Sequence, residues 1–233
     1  MTQSNFIEEL RKINIDLTQE MLDQLEKYYE MLIEYNKVMN LTGITEKKEV
    51  YLKHFYDSLT LNKIIDLNDV KTLCDLGSGA GFPGIVIKIV FPNINITLVD
   101  SLNKRINFLN EVITTLNLEN INTVSARIEE YALLHDEEYD VVTARAVAPL
   151  NVLLELGSKL IKVDGYFVAM KGNIENEPDY SNAMKKLNLT EESKICFSLP
   201  IENSVRTLVK IRKTVSTPKQ FPRKYSEIKK KPL

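Results

Sequence analysis

The chain lacks tryptophan altogether and carries only two cysteines, two histidines and eight glycines in 233 residues. Cys74 and Cys196 lie far apart with no metal-ligand spacing, and His54 and His135 are the only imidazoles that could join them, so no metal centre is expected. Cys74 sits in an apolar run and reads as a packing residue. Long apolar runs are missing too: nothing approaches the ~20 residues of a membrane span. The opening residues MTQSNFIEELRK have no apolar core of a secretory signal, and a cytoplasmic protein is expected. Net charge is −2, which argues neither for nor against a nucleic-acid partner.

What is there is unevenly placed. Residues 1 to 60 hold seven Lys/Arg against eleven Asp/Glu, whereas Asn203 to Leu233 hold ten Lys/Arg against Glu227 alone. That asymmetry suggests a tail facing a polyanion. The alternative is a solubilising, partly disordered end, because TPKQFPRKYSEIKKKPL is interrupted by proline and poor in large aliphatics.

The length suits one main α/β core with an appendage. Before Asp69 the pattern is helical: Met21, Leu22, Leu25, Tyr28, Tyr29, Leu32, Ile33 and Tyr35 recur at three- and four-residue steps. A second helical stretch is expected in EKKEVYLKHFYDSLTL. From Lys71 onward KTLCDLG, NITLVD, INTVSA, YDVVTARA and GYFVAMKG alternate with amphipathic segments, which predicts a mostly parallel sheet with helices on both faces. SKICFSLP and VRTLVKIRK are expected to close it as an antiparallel pair.

Four of the glycines, Gly77, Gly79, Gly81 and Gly84, fall directly after the first expected strand, in LCDLGSGAGFPG. Open α/β sheets bind ligands at the carboxyl ends of their strands. Three readings compete: a turn without a ligand, the dinucleotide fingerprint G-x-G-x-x-G on Gly79, Gly81 and Gly84, or the adenosylmethionine pattern running from Asp75 to Gly81. Asp100, closing NITLVD, is placed to accept from ribose hydroxyls in either nucleoside class, so it does not choose between them.

The motifs NLTGIT, HFYDSL, DLGSGAGFPG, VDSLNKRINFL, ARIEE, TARAVAPL and MKG occur in that order between about Leu22 and Arg212. Together they resemble the RsmG family, also called glucose-inhibited division protein B, of bacterial 16S ribosomal RNA guanine-N7 methyltransferases. The resemblance implies an α/β, Rossmann-like class I methyltransferase fold. A helical cap would span 1–68, an S-adenosylmethionine-binding core 69–213 and a basic tail 214–233. It implies S-adenosyl-L-methionine as cofactor, and 16S ribosomal RNA or a small-subunit precursor as partner. Cofactor contacts carried over by motif fall on Gly77, Phe82, Asp100, Ser101, Leu102, Ile128, Glu129 and Arg145, with Arg145 as the positioning candidate near methyl transfer.

Substrate-side candidates are Asn40, His54, Asp57, Ser58, Lys171 and Arg206. His54, Asp57 and Ser58 stand at i, i+3 and i+4, on one face of a helix, and match the family's H-x-x-D-S motif. Lys171 and Arg206 are candidates for holding RNA phosphates. Guanine N7 offers an in-plane lone pair and no proton, so no general base is required. No Asn/Asp-Pro-Pro-aromatic turn follows the fourth expected strand, which disfavours adenine N6, and no Pro-Cys motif stands there, which disfavours cytosine C5. A methyltransferase for another acceptor and a nucleotide-binding module without transfer activity are the alternatives.

Overall fold

Alternating β-rich and amphipathic segments give one seven-stranded sheet in the computed structural model, which describes residues 1–233. Its strands are β1 (Thr72–Leu76), β2 (Asn95–Asp100), β3 (Ile121–Ser125), β4 (Tyr139–Arg145), β5 (Ile161–Lys171), β6 (Leu189–Ser198) and β7 (Val205–Lys213). They lie in the order β3-β2-β1-β4-β5-β7-β6. The first five are parallel, and β7 runs antiparallel to both β5 and β6.

β2 coincides with NITLVD, but β6 begins at Leu189, ahead of SKICFSLP. Residues 190–193 are polar because β6 is an edge strand with only β7 beside it, so their pattern reads as loop. Within this pair Cys196 stands opposite Thr207 and Phe197 opposite Arg206.

The N-terminal region forms α1 (Gln3–Arg11), α2 (Gln19–Met39), α3 (Lys47–Val50), a π turn (Tyr51–Tyr56) and α4 (Asp57–Leu59). Thr18 caps α2 by accepting from Met21 N, and Asn40 ends it in the left-handed region at φ 49°. Later helices are α5 (Gly84–Val90), α6 (Asn103–Thr115), α7 (Ile128–Leu134), α8 (Leu150–Gly157), α9 (Ser181–Leu187) and α10 (Tyr225–Lys230).

Two cores flank the sheet, as a doubly wound fold requires. In one, Phe6, Leu25 and Phe55 from the N-terminal helices join Ile85 and Phe108 of α5 and α6 in a cluster of 40 buried residues. Truncating a fully buried phenylalanine of this kind costs about 3–5 kcal/mol. The other collects 22 buried residues around α7, α8 and α9.

The last twenty residues are not the disordered end that their composition allows. Phe221 and Leu233 enter the second core, Ile228 is fully buried against Val152 and Leu156, and Arg223 forms a bidentate pair with the buried carboxylate of Glu155, both contacts at 2.6 Å. Three well-spaced apolar side chains and one buried ion pair outweigh the prolines. No helix is long and apolar enough to cross a membrane.

Candidate active site

The site forms where β1 and β4 end side by side, Asp75 paired with Thr143 and Leu76 with Ala144. Strand order reverses there, and such crevices bind ligands. After Leu76 the chain folds back on β2: Gly77 N and Ser78 N donate to the Val99 carbonyl at 2.8 and 3.1 Å, and Gly79 N donates to Asp100 Oδ2 at 2.9 Å.

The density of glycine has two causes. Gly77, Gly79 and Gly81 take positive φ, with Gly81 at 102°, where a side chain is strained. Gly84 has no such φ, but a Cβ there would lie 2.2 Å from Leu98 Cδ2 and 2.9 Å from Asp75 Oδ2. The cap reaches this turn as well, because the Tyr28 hydroxyl donates to the Ala80 carbonyl.

Two carboxylates underlie the turn. Asp75 is fully buried; its Oδ2 accepts from Gly84 N at 2.9 Å, and its Oδ1 has no partner. Burial pushes this carboxyl up to about 7, against the opposing pull of the Gly84 N–H and of Arg145. Asp100 Oδ1 accepts from Leu102 N at 2.9 Å, and Oδ2 accepts from Gly79 N and from Arg105 at 3.2 Å. Oδ1 holds one donor and keeps a lone pair for another.

Beyond Asp100 lies a cleft of about 380 Å³, lined by Gly77, Asp100, Ser101, Leu102, Ile128 and Glu129. Its size falls in the ~300–1,000 Å³ range of small-molecule sites. The resemblance placed Phe82 and Arg145 with these residues, but neither lines this cleft. The Phe82 ring is buried and stacked on His54, centroids 4.4 Å apart, with the Arg145 guanidinium 5.1 Å from its centre. Arg127, Val147 and Tyr225 line the cleft without having been foreseen.

Arg145 instead faces a second cleft, of about 340 Å³, with Asp57, Ala146, Lys171, Glu177 and Arg206. Ala146 borders both clefts and holds φ 56°, a left-handed conformation rare for alanine. The Arg145 guanidinium donates to the Lys53 carbonyl at 2.9 Å and to Asp57 Oδ2 at 3.2 Å. It also approaches His54 Nδ1 at 3.3 Å. Arginine cannot accept, so Nδ1 is the acceptor and Nε2–H donates to Thr42 Oγ1 at 2.8 Å. Burial, reinforced by Arg145, pulls the His54 imidazole down from 6.5 to about 3, which keeps it neutral.

The remaining candidates are held more tightly than their sequence suggests. Arg206 donates to Asp57 Oδ1 at 3.0 Å, and Lys171 pairs with Glu177 at 2.9 Å while donating to the Ala148 carbonyl. Neither is the free surface cation that a phosphate-holding role pictures. Ser58 is buried with its hydroxyl on the His54 carbonyl, and Asn40 is exposed at the α2 terminus; neither lines a cleft. Glu177 carries no sequence signal, because it lies between β5 and α9 in a stretch with no periodic pattern.

Comparison with known proteins places the whole chain. A family model described as "GidB: rRNA small subunit methyltransferase G" matches residues 21–203. The Ribosomal RNA small subunit methyltransferase G of Lysinibacillus sphaericus is 47% identical over 237 residues and covers all of both chains. That of Bacillus licheniformis is 49% identical, covering 100% of this chain and 99% of its own. A solved structure titled as a SAM dependent methyltransferase from Aquifex aeolicus shares the fold at a TM-score of 0.56 and 14% identity, over 74% of this chain and 97% of that one.

Proposed function

The chain belongs to the family of rRNA small subunit methyltransferase G, and from that membership we propose that its two adjoining clefts hold S-adenosylmethionine and the target guanine. The enzyme is S-adenosylmethionine-dependent and acts on ribosomal RNA of the small subunit, with N7 of a guanine in 16S RNA as the family's acceptor. The observation that carries the assignment of the clefts is their junction at Ala146, just past the ends of β1 and β4.

The donor set fits the cofactor. Asp100 offers acceptors for ribose hydroxyls, Asp75 Oδ1 is a buried oxygen without a partner, and the turn is a cradle from which side chains are excluded. When bound, S-adenosylmethionine supplies an electrophilic methyl on a sulfonium. Guanine N7 would attack that methyl with its lone pair and has no proton to lose, so no side chain of this chain would be needed as base. The protein's task is then orientation, which alone contributes on the order of 7–11 kcal/mol.

Arg145 is the positioning residue at the second cleft, held in place by Asp57, whose other carboxylate oxygen pairs with Arg206. In this reading 69–213 is the catalytic core, 1–68 its helical cap and 214–233 a basic tail. The partner is 16S ribosomal RNA or a small-subunit precursor, and the location is cytoplasmic.

The product tests this directly. N7-methylguanine has a glycosidic bond that becomes labile after borohydride reduction, so RNA methylated by this protein is expected to break at one guanine under aniline. Arg145→Ala removes the break. Label entering RNA without an aniline-sensitive site excludes N7, and label entering only protein excludes the RNA substrate.

A further inference from the structure

The first cleft has a wall that none of the family motifs supplies. Tyr225, the first residue of α10, lines the same cleft as Asp100, Ile128 and Glu129, although it lies 96 positions beyond Glu129 in the sequence (225 − 129) and past the segment that the family model matches. Its placement is not that of a loose end. α10 is fixed by the fully buried Ile228, by the Arg223–Glu155 pair before it, and by Asn151 Nδ2 donating to the Leu233 carbonyl after it.

Against that anchoring, Tyr225 leaves 38% of its surface exposed. It therefore contributes little to the core beneath the helix and faces the cleft instead. Arg127 takes one face of the ring, its guanidinium carbon 5.8 Å from the ring centre, and the other face is not used by it. Leu102 and Val147, two more half-exposed apolar side chains, stand in the same lining, while the acceptors for a ribose stand at Asp100. An aromatic ring and apolar side chains in one lining with a ribose acceptor match a purine nucleoside.

We propose that Tyr225 is a cofactor-binding residue whose ring forms the platform for the adenine of S-adenosylmethionine, so that the C-terminal helix completes the cofactor site. This rests on the assignment of the first cleft to the cofactor. Stacking is tolerant of the hydroxyl, so phenylalanine preserves it and alanine removes it.

The test is calorimetric titration of the full chain with S-adenosylhomocysteine and with 5′-methylthioadenosine, which keeps the adenosine half but lacks the amino acid. Tyr225→Ala is expected to weaken both ligands by the same factor, roughly 5- to 150-fold as for removal of an aromatic platform under a base, while Tyr225→Phe binds like the wild type. The ligand-free melting temperature of Tyr225→Ala stays at the wild-type value, in contrast to Ile228→Ala, which lowers it. Unchanged affinity in Tyr225→Ala overturns the proposal, as does a loss confined to S-adenosylhomocysteine or a ligand-free melting temperature lowered as in Ile228→Ala. Failure of the wild type to bind either ligand instead overturns the cofactor assignment itself.

Discussion

Arg145 and Asp57 share a hydrogen bond of 3.2 Å across 88 positions of sequence, joining the end of β4 to the helical cap. Asp57 is also the partner of Arg206, so one carboxylate, 7% exposed at its side chain, compensates two guanidinium groups. Removing one partner of a buried ion pair leaves the other charge uncompensated. Asp57→Ala is expected to cost about 3 kcal/mol of stability in urea unfolding, and to abolish methyl transfer even where the protein is still folded.

The glycine turn offers a sharper contrast. A Cβ at Gly81 would stand 2.6 Å from Ile85 Cγ1 and 2.8 Å from the Tyr28 hydroxyl, at φ 102°, whereas a Cβ at Gly43 meets nothing within 4 Å. Gly81→Ala is expected to lose about 2 kcal/mol or more and to bind cofactor poorly, and Gly43→Ala to match the wild type in both thermal melting and titration.

Asp75 makes stability depend on pH. Its folded carboxyl is raised from 3.8 to about 7, so the native chain holds a proton that the unfolded chain releases, and the contribution present at low pH is lost as pH rises through about 7. His54 works in the opposite sense: lowered from 6.5 to about 3, it contributes stability above 6.5 that is lost as pH falls toward 3. The comparison with Asp75→Asn isolates the first effect, since both chains keep His54. Wild-type stability relative to that variant is expected to fall between about pH 3.8 and about pH 7 and then level off, as read from urea midpoints across that range.

Deleting the tail does not test its charge, because Ile228 and Leu233 are buried. Replacing the exposed Lys229, Lys230 and Lys231 with glutamine is expected to weaken RNA binding and to make its salt dependence shallower by ~0.7 per lost phosphate contact, with the melting temperature unchanged. An unaltered salt slope excludes these lysines from the RNA contact.

The legible part of the fold was the part with periodicity. β1, β2 and β4 carry buried apolar residues because helices cover both faces, whereas β3 at the sheet edge is mostly polar, and α2 announces its buried face through Leu22, Leu25, Tyr28 and Leu32. At the site, motif and topology coincide at strand ends, which is why these candidates were legible: Gly77 after β1, Asp100 closing β2, Ile128 after β3 and Arg145 closing β4, although Arg145 lines the second cleft and not the first. Phe82 looked like a cleft residue from its place after the glycines, yet stacking on His54 draws it into the cap interface, a relation between segments that no local pattern encodes. Lys171 and Arg206 looked like free cations for the same reason, since Glu177 and Asp57 are partners supplied by other elements. Tyr225 sits in a six-residue helix too short to show a period, inside a segment whose prolines suggested disorder.

The pairing of β6 with β7 also makes the molecule convenient to label. Cys74 is buried and its thiol pushed well above the usual range, so it does not present a thiolate, whereas Cys196 is exposed on the outer strand. A maleimide fluorophore therefore has a single accessible attachment point without any engineering. Cys196 stands opposite Thr207, and because successive side chains of a strand alternate faces it projects from the other side of the sheet than Arg206, so the dye is carried on the edge strand without obstructing the second cleft.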